Sequence, residues 1–255
     1  MQITIISIHP PDDVPEFAKQ RYFHIQLKPE QAKILNLRKK TFLDEANTKE
    51  TSSISILRVM RHYMITANDI TQHVINHPTI ESIKATENFD LIVFGWSMND
   101  FQYGLAGHFQ CPFVVVTTTV ACKPLRQLVG NPTGLTYQPS LFINTITNMS
   151  FLQRLQNLFV SMIEWFFTFY LDHILTPVYY EMNFPSKQYP PYSEVVKNAS
   201  LVLAAQHFTQ NGPVLSFPGL IEISGIHIKD KPDPLPEVRK KFNLKFQVFS
   251  HENLI

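Results

Sequence analysis

Residues 2 to 8 alternate toward β-branched apolar side chains and halt at His9-Pro10-Pro11-Asp12-Asp13, where proline offers no ladder donor, so the pattern predicts a strand. A second short apolar run spans Phe23 to Leu27, and the charged, aperiodic stretch from Leu37 to Ser53 predicts a loop or frayed helix. From Ile54 to Ile75 the apolar positions Ile54, Leu57, Met60, Met64, Ile70 and Val74 recur at three- and four-residue spacing, which predicts helix. A break is expected at Ala67-Asn68-Asp69, where Asn68 or Asp69 could cap a second segment. The next stretch changes character three times: strand from Phe89 to Phe94, polar tip from Gly95 to Asp100, helix with Phe101, Leu105 and Phe109 on one face, then strand from Phe113 to Thr118. Continuous apolar runs on both strands predict cover on both faces, as in a parallel pair joined by a crossover helix. Leu201 to Ala205 and Ile221 to Ile223 read as two further strands, so the chain predicts an open α/β layer fold.

Between these strands lies SFLQRLQNLFVSMIEWFFTFYLDHIL, Ser150 to Leu175, broken in its apolar middle only by Ser161, Glu164 and Thr168. A bilayer span needs about 20 apolar residues, and this run reads as too interrupted for one. It predicts a core helix capped by Ser150, or else a helix whose surplus aromatic face, across 152–175, rests on a membrane or a partner. The proline rhythm of HIKDKPDPLPE suits an extended connector.

Composition narrows the classes. A 255-residue chain with 44 % apolar residues can bury a sizeable core. With 22 basic and 21 acidic residues it has no positive field to hold a phosphate backbone, so nucleic acid is not an expected partner. Cys111 and Cys122 lack metal or redox spacing and are expected as buried thiols rather than a disulfide. No secretory leader follows Met1, yet Asn148-Met149-Ser150 and Asn198-Ala199-Ser200 are glycosylation sequons.

Candidate chemistry is sparse. His73 and His77 sit one helical turn apart, a spacing that can grip a metal, but no third ligand is evident and no metal is expected; their ordinary role is to complement a helix C-terminus. No glycine-rich phosphate loop and no Gly-x-Ser-x-Gly elbow exists. The tip from Gly95 to Asp100 remains, because ligands in open α/β sheets bind outside the carboxyl ends of strands. Asn99 and Asp100 are placed to cap the following helix, while Trp96 and Met98 could line an apolar pocket or belong to the core.

Three stretches, NFDLIVFGWSMNDFQYGLAGHFQCPFVVVTTT, LVGNPTGLTYQPSLFINTITNMSFLQRLQNLF and NASLVLAAQHFTQNGPVLSFPGLIEISGIHIKDKPDPLPE, resemble in order and spacing the N-terminal, acceptor-binding half of the UDP-glycosyltransferases, especially the insect UDP-glucuronosyltransferase-like branch. The resemblance runs from Gln2 to about Lys241. It implies a Rossmann-like parallel sheet with flanking helices, one half of a GT-B fold, and inverting sugar transfer from a UDP-sugar co-substrate to a small lipophilic acceptor, without a metal or bound cofactor. In that family a histidine deprotonates the acceptor and an aspartate orients it. Here QITIISIHPP resembles the family's second strand, so the base histidine is expected to be absent, and His9 does not take its place. Many relatives carry an acidic residue where this chain has Gly95, which leaves Asp100 as the nearest catalytic candidate. Trp96, Met98, Tyr103, Thr117, Thr118 and Thr119 are the expected acceptor-pocket positions, with interior packing as their ordinary role.

The expectation is therefore an incomplete acceptor-binding domain over residues 1–241, a divergent tail over 242–255 and no donor domain, inactive by itself. The family implies the endoplasmic reticulum membrane or lumen; a genuine short form would be cytosolic. The competing expectations are a non-catalytic protein that binds lipophilic ligands or pairs with full-length UDP-glycosyltransferases, and an incomplete gene product.

Overall fold

The computed structural model describes residues 2–8, 16–33, 36, 65–131, 140, 149–207, 209, 216–226 and 228. The expectations for 37–64, most of 227–241, the tail and Asn148 lie outside the described residues. Two compact units are present, Met1–Ile223 and Ser224–Ile255. In the second, Gly225 takes a left-handed φ of +89° and its carbonyl accepts the Ile228 N–H at 2.9 Å.

The first unit holds the sheets. Strand β1 (Ile5–Ser7) pairs in parallel with β2 (Tyr22–His24) across the short helix α1 (Glu16–Lys19). Among the described residues, 29–33 (α2) and 65–75 (α3) are helical and precede α4 (Pro78–Thr86). Contrary to the expected break, α3 runs unbroken through Ala67-Asn68-Asp69. Both Thr66 and Asn68 are buried, and the Asn68 Oδ1 accepts from Asn183 Nδ2 at 3.1 Å, so this asparagine docks the helix instead of capping it.

The second sheet has four parallel strands in the order β3 (Ile92–Gly95), β4 (Phe113–Thr117), β5 (Ala199–Ala204), β6 (Leu220–Glu222). The predicted βαβ unit is present. A 3₁₀ turn (Asp100–Tyr103) leads into α5 (Gly104–Phe109), which ends at Gln110 in the left-handed conformation before Pro112 opens β4. Strand β4 is the centre of the core, with Phe113 and Val115 fully buried and Tyr103 stacked on Phe113 at 4.6 Å between ring centroids. Strand β3 departs from the prediction of two covered faces. It has one neighbour among the described strands, and Val93 is 59 % exposed.

The crossover from β4 to β5 carries the rest: α6 (Lys123–Leu128), α7 (Phe151–Tyr170), a π-helical turn (Leu171–Leu175), α8 (Thr176–Asn183) and α9 (Tyr192–Val195). Ser150 caps α7 as predicted, in a capping box: its Oγ accepts the Gln153 N–H and the Gln153 Oε1 accepts the Ser150 N–H. The reading of α7 as a core helix is overturned. Its buried positions are Asn157, Ser161, Glu164 and Thr168, whereas its aromatic and aliphatic side chains point outward. The inward polar face is satisfied by a local network. Asn157 Oδ1 accepts the Ser140 N–H at 2.8 Å, Glu164 Oε2 accepts the Ser140 hydroxyl at 2.6 Å, and Lys123 Nζ lies 3.1 Å from the same carboxylate.

Candidate functional site

The site grows from the ends of β3 and β4. Trp96 extends the ladder by one bond, donating its N–H to the Val116 carbonyl at 2.8 Å, and the chain then leaves the sheet. Asn99 closes the tip: its Oδ1 accepts the Ser97 N–H at 2.8 Å and its Nδ2 donates to the Gly95 carbonyl at 3.1 Å. To make that tight return Met98 takes a left-handed φ of 57°, unusual for a residue with a Cβ. A Cβ at Gly95 would meet nothing within 4 Å, so the space that an acidic side chain would need there is open.

Asp100 does not cap the helix, and neither does Asn99. The Asp100 Oδ1 instead accepts the Tyr103 hydroxyl at 2.7 Å and the Trp96 indole N–H at 3.0 Å. The tip is thus braced by its own aromatic side chains. Burial raises the Asp100 pKa above the ordinary carboxylate value, opposed in part by those two hydrogen bonds. Tyr103 is buried in the core with only its hydroxyl turned to the tip, and burial followed by the Asp100 charge pushes its phenol well above the usual range.

At the neighbouring strand end, Thr117 is buried and its Oγ1 receives the Thr119 N–H at 3.2 Å, while Thr118 and Thr119 are exposed. The loop then enters α6 through Ala121, whose N–H donates to the buried Gln206 Oε1 at 3.0 Å. Gln206 Nε2 in turn donates to Glu222 at 3.0 Å, so one side chain ties the ends of β4, β5 and β6 together.

The structure adds Asp172, which sequence reasoning missed. It sits on the π-helical turn that joins α7 to α8, a local irregularity found often at functional positions. Burial, then the charge of Asp100, raise its pKa to about 7. The same two carboxyls raise the phenol of Tyr192 and the Cys122 thiol, both raised first by burial, the latter to about 12. Asp100, Asp172, Tyr103, Tyr192 and Cys122 therefore share one electrostatic neighbourhood beside the strand ends. A carboxyl that titrates near neutrality in such a place can hold or accept a proton. The sequence signal was a lone acid ending an otherwise apolar helix, which is a weak one.

The remaining candidates have structural duties. His77 Nδ1 accepts the Thr79 N–H at 3.3 Å and so caps the N-terminus of α4, not the C-terminus of the helix before it. His73 Nε2 lies 3.1 Å from the Gln26 carbonyl. Cys111 and Cys122 are free thiols, Cys111 buried as expected and Cys122 half-buried. Asn198 is exposed just ahead of β5.

Parallel strands with flanking helices and a polar tip at their carboxyl ends define a Rossmann-like α/β domain. The chain belongs to the UDP-glucoronosyl and UDP-glucosyl transferase family, whose pattern it matches over residues 7–245, and whose GT-B architecture this layered fold fits in its N-terminal half. It is similar to UDP-glucosyltransferase 2 of Dactylopius coccus, with 27 % identity over 66 % of this chain and 32 % of that protein. UDP-glycosyltransferase UGT5 of the same organism is 28 % identical over 65 % of this chain and 31 % of its own length. The chain thus matches about a third of the length of these relatives.

Proposed function

We propose that this chain forms the acceptor wall of a UDP-glycosyltransferase that moves a sugar, of the glucosyl or glucuronosyl kind, from a UDP-sugar to a small lipophilic hydroxyl compound. The observation that carries this reading is the tip at the end of β3, where the turn at Met98 returns the chain and the Asp100 carboxyl is held by two aromatic donors, Trp96 and Tyr103. Exposed Thr118 and Thr119 sit at the adjacent strand end and supply hydroxyls for orienting an acceptor. Asp100 is the candidate orienting carboxylate, and Asp172 the second acid of the same site. The sequence holds no glycine-rich phosphate cradle, so the 255 residues are proposed not to turn over donor unaided. The exposed sequon at Asn198 supports a lumenal setting, which glycosidase treatment of the natural product would test by a mass shift.

The decisive experiment adds phenolic acceptors to the Trp165→Phe chain, in which Trp96 is the remaining indole, and follows its fluorescence together with transfer from labelled UDP-sugars. Saturable quenching without sugar transfer supports the reading. Emission unchanged across the panel removes the acceptor-wall assignment, and product formed by the chain alone removes its inactivity.

A further inference from the structure

Helix α7 is built inside out. On an ordinary surface helix the apolar stripe faces the core and the polar residues face water. Here Asn157 and Ser161 are 0 % and 2 % exposed, while Phe151, Phe159 and Phe166 are 80 %, 65 % and 62 % exposed. We propose that this outward face lies flat in the surface of a lipid bilayer, with the helix axis parallel to the membrane plane. The inference goes beyond the sugar-transfer reading and stands without it.

Charge is the first argument for lipid. Between Leu155 and Leu171 the single formal charge is Glu164, which is turned inward against Lys123 at 3.1 Å. The outward arc thus presents no ion for about four turns, about 25 Å of helix. A hydrocarbon surface matches such a face, and a charged partner does not. Breadth is the second argument. Outward apolar residues occupy adjacent pairs as well as the three- and four-residue rows: Leu158 with Phe159, Met162 with Ile163, Trp165 with Phe166. A second copy packed as a coiled coil covers a seam of two positions in seven and would leave most of this arc wet. A bilayer covers all of it, and the indole of Trp165 and phenol of Tyr170 suit the headgroup boundary.

Orientation follows from what the other face does. The stretch Phe151–Asn183 is long and apolar enough to cross a membrane by length and composition, which the sequence pattern did not predict. A crossing helix, however, needs lipid-compatible side chains all round or a protein bundle about it, and the inner side of α7 is fixed by Asn157 and Glu164 to Ser140 and Lys123. The outward stripe continues through Ile174, Val178 and Met182 along α8, which suits a helix lying in the interface. Interfacial helices usually add basic residues for anionic lipid. This one carries only Arg154, in its first turn with its Nε donating back to the Met149 carbonyl at 3.1 Å, so its binding is expected to depend little on salt or lipid charge.

The test floats the full chain with phosphatidylcholine vesicles at low and high salt. It adds quenching of Trp165 emission by bromine-labelled acyl chains, with Trp165→Phe as the reference. Co-flotation at both salt concentrations, with quenching that disappears in Trp165→Phe, is the expected result. Phe159→Gln with Phe166→Gln should weaken partitioning about tenfold or more. Both side chains are exposed, so the thermal melt should not move; if it does, the quenching comparison on the unmutated chain decides. Failure to float, flotation only with anionic vesicles at low salt, or a lipid-free dimer that the double variant dissolves would each overturn the proposal, the last by making the face a contact between copies.

Discussion

The Tyr103 hydroxyl donates to Asp100 Oδ1 at 2.7 Å, from a ring stacked in the core onto a carboxyl at the strand tip. Tyr103→Phe keeps the stacking and removes the donor. Loss of a hydrogen bond to a buried acid costs about 1 to 3 kcal/mol. Because that bond holds the Asp100 pKa down against burial, its loss should raise the pKa further. Urea unfolding and carbon-13 titration of the carboxyl measure both. A carboxyl that titrates as before in the variant would show that the hydroxyl does not govern Asp100.

Asp172 makes stability depend on pH in the less common direction. Its carboxyl is raised from 3.8 to about 7 in the folded chain, so between those values the folded state keeps a proton that the unfolded state has released. Stability should fall as pH rises through this window, the loss being complete above the folded pKa. In Asp172→Asn that part of the slope should vanish, and the variant should gain relative stability at pH 8. Thermal melts from pH 4 to pH 8 check this, and an unaltered slope would sink the assignment.

Lys123 and Glu164 form the ion pair beneath α7, 3.1 Å apart and largely shielded from water. Lys123→Met leaves a buried carboxylate without its partner and should cost about 3 to 5 kcal/mol. The double variant Lys123→Met with Glu164→Leu should recover much of that loss, since both desolvation penalties go together. A denaturant cycle over the four proteins gives the coupling; strict additivity would contradict it.

Gly104 opens α5 directly against the Phe184 ring, and a Cβ there would overlap the ring atoms. Gly104→Ala should therefore destabilise by about 1 to 3 kcal/mol despite alanine's better helix propensity. Phe184→Leu in the same chain should return part of the loss by clearing space. If Gly104→Ala melts at or above the parent temperature, the close approach is not what keeps the glycine.

Much of the βαβ unit was legible because its signals are local. Apolar runs marked β3 and β4, and Ser150 marked the cap of α7, whose Gln153 partner the structure added. The tip was legible as a position but not as a network. Asp100 looked like a cap because it stands where a helix begins, yet its oxygen is taken by Trp96 and by Tyr103, whose ring is set by stacking on Phe113. Asp172 was not legible, since its raised carboxyl comes first from burial on the folded π-helical turn and then from the charge of Asp100, seventy-two positions away in the chain.

By itself the sequence determined the parallel α/β class, the order of the strands' apolar runs, the near-neutral charge and the family resemblance, all of which are written in local pattern and order. Only the tertiary structure decided which side of α7 is inside. An amphipathic period states that two faces differ, and it takes Ser140 and Lys123, brought in from elsewhere in the chain, to make the polar face the buried one.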